Sequence, residues 1–312
     1  SSVYDDVNGE KSGSVYVFYF NGFVWIEHTK LLAYDGEAYD RFGYSVDIDG
    51  NVIIVGSVYD DDMGEDSGSI YIYRLNNNEW TFEQKLSTLT GEPYDFFGAS
   101  LSICNEILAV GSVYDDYMGE NSGSVSIFKY NGSYWDEIQK IFASDGLEYD
   151  IFGNSIDLSE SKLAIGSFYV DHMGLNNTGS VYIYKKVNDE YIFSNKIVAF
   201  DYSFNDIFGQ SVSIYDRWLA IGSLNNDNGI NSGSVYLYEI SEDDYVVNEV
   251  KINASDGSAN DEFSNSLAMG SRYLIVGSQL DDELGPESGS VYIYKYLGCN
   301  DSNACNYDLD SF

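Results

Sequence analysis

The chain has 312 residues, 44% of them apolar, and 51 Asp plus Glu against 15 Lys plus Arg give a formal net charge of −36. Such a charge repels phosphate backbones and anionic lipid, which argues against nucleic-acid binding and membrane association, and no stretch reaches the roughly 18 apolar residues of a membrane helix. Disorder, the usual alternative for so acidic a chain, is opposed by 29 Tyr, 17 Phe and only 2 Pro, a composition of strand formers with large apolar area.

The opening Ser1-Ser2-Val3-Tyr4-Asp5-Asp6 repeats later as Gly56-Ser57-Val58-Tyr59-Asp60-Asp61, so the chain enters at the end of a second strand. Gly-Ser-Val/Ile then recurs at Gly13, Gly68, Gly123, Gly179, Gly233 and Gly289, a period of about 55 residues. A unit of that length cannot bury its own apolar face, whereas a row of them can.

The first complete unit starts at Phe42. Phe42 to Ile48 alternates as a strand, and Asp49-Gly50 is a two-residue hairpin signal. Val52 to Ser57 is a continuous apolar run, as in a strand covered on both faces. A polar loop from Tyr59 to Gly68 leads into a third strand, Ser69 to Tyr73. Asn76-Asn77-Asn78 turns the chain, and Trp80 to Leu86 forms a fourth strand.

The following units keep this order. The Phe-Gly pair returns at Phe97, Phe152 and Phe208, and at Phe263 Ser264 takes the place of the glycine. A lysine recurs near the end of the fourth strand at Lys30, Lys85, Lys140, Lys196 and Lys251. Four-stranded antiparallel units repeated in this way make an all-β fold, a β-propeller, with the small residues of the second strand suited to a crowded inner position and the fourth strand to the rim. The propeller repeats occupy 1–296 as a half unit, four full units and a three-strand unit, and 297–312 is a separate tail with Cys299 and Cys305. Cys104, inside a strand, reads as a small buried apolar residue.

Phe-Gly-x-Ser-Val followed by Val/Ile-Gly-Ser resembles the FG-GAP repeat of integrin alpha-chain propellers and many secreted proteins. The resemblance implies an extracellular or cell-surface module, and a propeller of seven blades of which this chain is a segment; closure with fewer blades is the alternative. The family's calcium loop between first and second strands has no counterpart here, because that connection is a tight hairpin in every unit. The tail resembles the start of a short Cys module of secreted proteins, and sequons at Asn131, Asn176, Asn253 and Asn300 permit glycosylation.

The acidic loop between second and third strands is the best place for chemistry. It carries Asp5 and Asp6, then Asp60, Asp61, Asp62 and Asp66, then Asp115 and Asp116, and finally Asp281 and Asp282; Asp171 and Asp227 stand at the same place in the other units. Clustered carboxylates beside a glycine suit calcium, which takes 6 to 8 oxygens, and they equally suit carboxylates that cap their own turns. A second recurring aspartate, at Asp40, Asp95, Asp150, Asp206 and Asp261, reads as a fixture of the connection between units. Catalysis has little support: His28 and His172 fall at no repeated position, and no Ser-nucleophile or zinc spacing occurs. The reading is of an adhesion or assembly module that binds a protein, a glycan or other copies of itself through loops, without enzymatic activity. A calcium-dependent lectin and the accessory domain of a secreted enzyme are the alternatives.

Overall fold

A computed structural model describes residues 1–88, 92–225, 231–282, 285–286 and 288–295, so the Cys299–Cys305 tail and Asp227 lie outside the described residues. The fold is all-β. A two-stranded sheet, Val15–Phe20 with Trp25–Leu31, precedes five antiparallel blades. The first blade comprises Val46–Asp49, Val52–Ser57, Ser69–Asn76 and Glu79–Leu86, hydrogen-bonded in chain order. The next three have the same four strands and begin at Phe97, Ile156 and Phe208. The fifth has three described strands, Phe263–Met269, Tyr273–Ser278 and Ser290–Lys295.

One expectation needs correction. Seven blades are not what these strands make: the repeat supplies five, and the larger number came from the habit of similar chains and not from any residue. The first strands of successive blades are bonded to one another through Asp47, Ser102, Asp157 and Ser213, and the second strand lies next to them within each blade. The crowding at its glycine comes from the neighbouring blade: a β-carbon on Gly56 would stand 2.4 Å from the Gly98 carbonyl oxygen.

Period-2 alternation decides which residue packs against which neighbour. Ile53, Val55, Tyr71 and Tyr73 face backwards, onto Val15, Leu31 and Phe42. Val52, Ile54, Ile70 and Ile72 face forwards, onto Phe97, Leu101 and Val110 of the second blade. Both faces are therefore buried, which is why the Val52–Ser57 run lacks polar positions until Ser57. Each fully covered Ile contributes about 1.5–3 kcal/mol, so the blade-to-blade faces hold most of the stability.

The Phe-Gly pair breaks the ladder at the start of each blade. Phe97 pairs with Ser112, and pairing resumes only at Ser100 with Gly111, a bulge in which Gly98 has φ 94°. A left-handed residue precedes each Phe (Arg41, Phe96, Ile151, Ile207, Glu262), turning the chain so that the ring points between blades. Cys104 is half-buried against the core, where burial pushes its thiol pKa up.

Candidate functional site

The loops after the second strand and the loops that enter each blade meet at one end of the propeller. Tyr39 N–H donates to the Glu10 carbonyl at 2.7 Å, Tyr94 to Glu65 at 2.8 Å, and Tyr149 to Glu120 at 2.7 Å. The hairpins at Gly50 and Asn77-Asn78 lie at the opposite ends of the same strands.

Within the acidic loops the two adjacent aspartates have different work. The outer one closes its own turn: Asp6 Oδ1 accepts from Lys11 N–H at 2.8 Å, Asp61 Oδ1 from Asp66 N–H at 2.8 Å and Asp116 Oδ1 from Asn121 N–H at 2.7 Å. The donors Lys11, Asp66 and Asn121 all have positive φ, so the carboxylate holds a strained turn in place. In the fourth unit the loop is one residue longer, and Asp171 Oδ1 reaches Asn177 N–H at 2.9 Å.

The inner aspartate points into the blade. Asp5, Asp60 and Asp115 accept from the hydroxyls of Ser14, Ser69 and Ser124 at 2.9, 3.0 and 2.9 Å. The fourth-strand lysines close the same carboxylates: Lys30 on Asp5 at 2.7 Å, Lys85 on Asp60 at 2.9 Å and Lys140 on Asp115 at 2.6 Å. Tyr71 OH lies 2.8 Å from both Asp60 Oδ2 and Asp35 Oδ1, with one proton to share between them, and Lys85 also pairs with Asp35 at 2.9 Å and with Asp62. In the fifth blade Tyr292 OH bridges Asp256 and Asp281 at 2.8 and 2.7 Å, and Asp282 O accepts from Gly285 N–H at 3.0 Å.

Charge balance follows from these contacts. Burial alone pushes Asp35, Asp145 and Asp201 upward, but lysine and tyrosine hydrogen bonds outweigh it and leave all three below the ordinary carboxylate pKa. Hydrogen bonding to Lys30 likewise lowers Asp5. Burial would lower Lys85, yet bonds from Asp62, Asp60 and Asp35 raise it. These carboxylates meet hydroxyls, an ammonium and backbone N–H groups, each of which donates to them. No group of three or more His, Cys, Asp or Glu among the described residues is placed to hold a metal ion. Among the described residues, the inner aspartates of the acidic loops are thus taken up by donors within their own blade.

The second recurring aspartate is buried in every unit. Asp40, Asp95 and Asp150 accept from Glu37, Glu92 and Leu147 N–H at 2.7, 2.9 and 2.8 Å, fixing the entry loop. Burial pushes Asp40 and Asp95 up to about 6, with neighbouring carboxylates adding to the rise.

A third set was not singled out from the sequence. The side chains of Asp47, Ser102, Asp157 and Ser213 each accept an N–H from the next blade's first strand, at Ile103, Leu158, Ile214 and Met269, over 2.7–3.1 Å. Burial lifts Asp157 to about 6, opposed by its bonds to Ile214 N–H, Ser213 and Ser102. The signal was present as a polar Asp or Ser between apolar residues at one register of the first strand, but the residue type changes from unit to unit.

Exposed on the same loops are Tyr4, Tyr34, Met63, Tyr117, Met118, Met173, Phe200 and Phe204. Nearer the axis the rings interlock: Arg41 lies over Tyr59 at 4.5 Å, and Phe96 stands 5.0 Å from both Tyr59 and Tyr114. Tyr59 and Tyr114 thus pack in the ring cluster, whereas Tyr94 and Tyr149 are about half exposed (48% each). The loop end therefore presents large apolar side chains on loops that also expose Asp6, Asp61 and Asp116.

Five matches to the FG-GAP repeat cover residues 25–73, 80–128, 135–184, 192–238 and 246–294. Each runs from a fourth strand through the first three strands of the following blade, so it contains one whole blade junction. No curated protein matches the chain.

Proposed function

The chain belongs to the FG-GAP repeat family, and from its loop end we propose that it is a binding scaffold of the adhesion or assembly kind, acting at the cell surface or outside the cell. The observation that carries this is the exposure of Tyr117 (75%), Met173 (82%) and Phe204 (68%) on loops whose backbones are fixed by hydrogen bonds. Aromatic and Met side chains held on rigid loops are what a protein interface uses as anchors, because little conformational entropy is lost on binding. The surrounding carboxylates and the net charge of −36 favour a basic partner surface. The acidic loops hold blades together and carry this surface; in this reading no bound ion is needed for either task.

The test is to probe the immobilised chain with an array of lysine- and arginine-rich peptides beside a glycan array. Salt-sensitive binding to basic peptides is expected, weakened at least about fivefold by combined Tyr117→Ser, Met173→Ser and Phe204→Ser substitutions. Hits confined to glycans would establish the lectin reading instead, and peptide hits unchanged by the triple substitution would remove the loop end from consideration.

A further inference from the structure

Three of the chain's 4 methionines occupy one register of the repeat. Met63, Met118 and Met173 each stand immediately before the glycine of an acidic loop, Gly64, Gly119 or Gly174, in three successive units. All three side chains reach solvent, at 49%, 44% and 82% exposure, whereas Met269 is half-buried against the cluster of Phe263 and Leu274.

Packing does not require a thioether at this place. In the opening half unit the same position is Asn8, whose side-chain amide bends back to donate to the Ala33 carbonyl at 2.9 Å. At Met173 the backbone even disfavours it. Met173-Gly174 is the two-residue turn between His172 and Leu175, whose N–H groups each donate to the other's carbonyl at 3.0 and 2.9 Å, and its φ values are 52° and 83°. Turns of that kind favour Asn at the first position, where a side chain such as Met is strained. The two preceding loops are fixed as firmly: Gly64 and Gly119 N–H donate to the Asp61 and Asp116 carbonyls at 3.1 Å, and Met118 N–H donates to Ser122 Oγ at 3.2 Å. These bonds do not involve the sulfur, so the loops keep their shape when a polar group takes its place.

A thioether differs from the exposed rings beside it in one chemical respect: a peroxide converts it to a polar, chiral sulfoxide, and sulfoxide reductases reverse the change. A sulfur lone pair attacks one oxygen of hydrogen peroxide, the O–O bond breaks, and the second oxygen leaves as water with both peroxide protons. Sulfur loses the two electrons that the peroxide gains. Susceptibility follows exposure. Among the described residues the competing thiol is Cys104, which is half-buried and whose pKa burial pushes up, so it offers little thiolate.

We propose that Met63, Met118 and Met173 form a modification site for hydrogen peroxide, at which reversible sulfoxide formation switches the loop end from apolar to polar. The sulfoxides add acceptor oxygens to loops already rich in carboxylates and remove apolar anchors, while the blade junctions stay as they are. The consequence for a partner rests on the reading of this end as a binding surface; the modification and the change of surface do not.

The test treats the full 312-residue chain with hydrogen peroxide, maps it by peptide mass spectrometry and runs it on a phenyl hydrophobic-interaction column. One added oxygen is expected at Met63, Met118 and Met173 at least about tenfold faster than at Met269. The oxidised chain is expected to elute earlier, to melt within about 2 °C of the untreated one, and to regain its elution after methionine sulfoxide reductases of both stereospecificities with a thiol reductant. Combined Met63→Leu, Met118→Leu and Met173→Leu substitutions are expected to remove the shift on treatment. Oxidation of Met269 as fast as of the loop methionines overturns the proposal, as does unaltered elution of the oxidised chain or an equal shift in the triple variant. The column needs no partner, so a chain that binds no basic peptide would sink the binding reading and leave the elution result to decide this one. Where a basic peptide does bind, oxidation is expected to weaken it at least about fivefold, and an unchanged affinity would overturn the switch.

Discussion

Replacing Gly123 by Ala isolates what holds two blades together. Gly123 has φ 81°, and its added β-carbon would lie 2.2 Å from the Phe152 carbonyl oxygen and 2.6 Å from its nitrogen. A carbon–oxygen contact needs about 3.2 Å, so the blades must part by roughly 1 Å. Parting stretches the Phe152-to-Ser122 bond of 2.9 Å and the Ser100-to-Gly153 bond, and it opens a face containing Val125, Ile127, Ile156 and Ile165. Two weakened hydrogen bonds cost about 2 kcal/mol and the loosened packing 1–3 more, beyond about 1 kcal/mol for an Ala at positive φ. Gly132→Ala supplies the reference, because its φ of 95° is equally unsuited to Ala and nothing stands within 4 Å of its added carbon. Urea unfolding followed by circular dichroism and by tryptophan fluorescence, to which the buried Trp135 contributes, is expected to show Gly123→Ala at least about 3 kcal/mol less stable than Gly132→Ala. Equal losses in the two variants would mean that close backbone approach between blades is not what the repeated glycine provides.

Ser264, the one departure from Phe-Gly, sits at φ 90° with its hydroxyl buried and unbonded, so Ser264→Gly is expected to raise stability by about 1 kcal/mol in the same urea assay. The pH profile has a definite sign. Asp40, Asp95 and Asp157 have folded pKa values near 6, above the unfolded value, so the folded state binds their protons more tightly and gains stability as pH falls from 7 to 5. Asp35, Asp145 and Asp201 are lowered, so their contribution is complete above the unfolded value and is lost as pH drops below about 4. The urea midpoint should therefore peak between about pH 4 and 6, and a steady decline from pH 7.5 to 5 would contradict the burial of these carboxyls. Millimolar calcium, or its removal with EDTA, is expected to move the melting temperature by less than about 2 °C, since a site that tightened on folding would raise it further.

What the sequence made legible was whatever repeats identically. The Gly-Ser-Val/Ile and Phe-Gly spacings gave the strand order and the Asp49-Gly50 hairpin, because turn chemistry and two-sided burial act locally. That Gly56 is crowded was legible, but its neighbour was not, because one dimension does not show that the backbone pressed against it is the next blade's Gly98. The acidic loops were legible as loops, but their partners were not. Lys85 is 50 residues from Asp35 and 23 from Asp62, and only the folded blade shows that one ammonium serves both. The chain of Asp47, Ser102, Asp157 and Ser213 was hidden for a related reason: carboxylate and hydroxyl can each accept the same N–H, so function was kept while residue identity changed.

The lysine clamps show how such units diverge without losing charge balance, and they yield a substitution that runs against ordinary expectation. Two positions can face each lysine, one in the entry loop and one in the loop after the second strand. Lys85 has both, Asp35 and Asp60; among the described residues Lys140 pairs with Asp115; Lys196 and Lys251 pair with Asp145 and Asp201. In the Lys196 unit the second position is the buried Val170, and the serine that would serve it, Ser180, has a buried hydroxyl with no partner. Introducing a carboxylate into a buried site ordinarily costs several kcal/mol. Here Val170→Asp would place it where Ser180 Oγ, Tyr182 OH and Lys196 correspond to Ser69, Tyr71 and Lys85 around Asp60, so its acceptors are matched before it arrives. The expected result is a stability unchanged or raised by about 1 kcal/mol, and a smaller penalty for Asp145→Asn when Val170→Asp is present than when it is absent. A loss above about 2 kcal/mol for Val170→Asp, with no coupling to Asp145→Asn in the double-mutant cycle, would show that the units are not interchangeable at this position and that the clamp is particular to each blade.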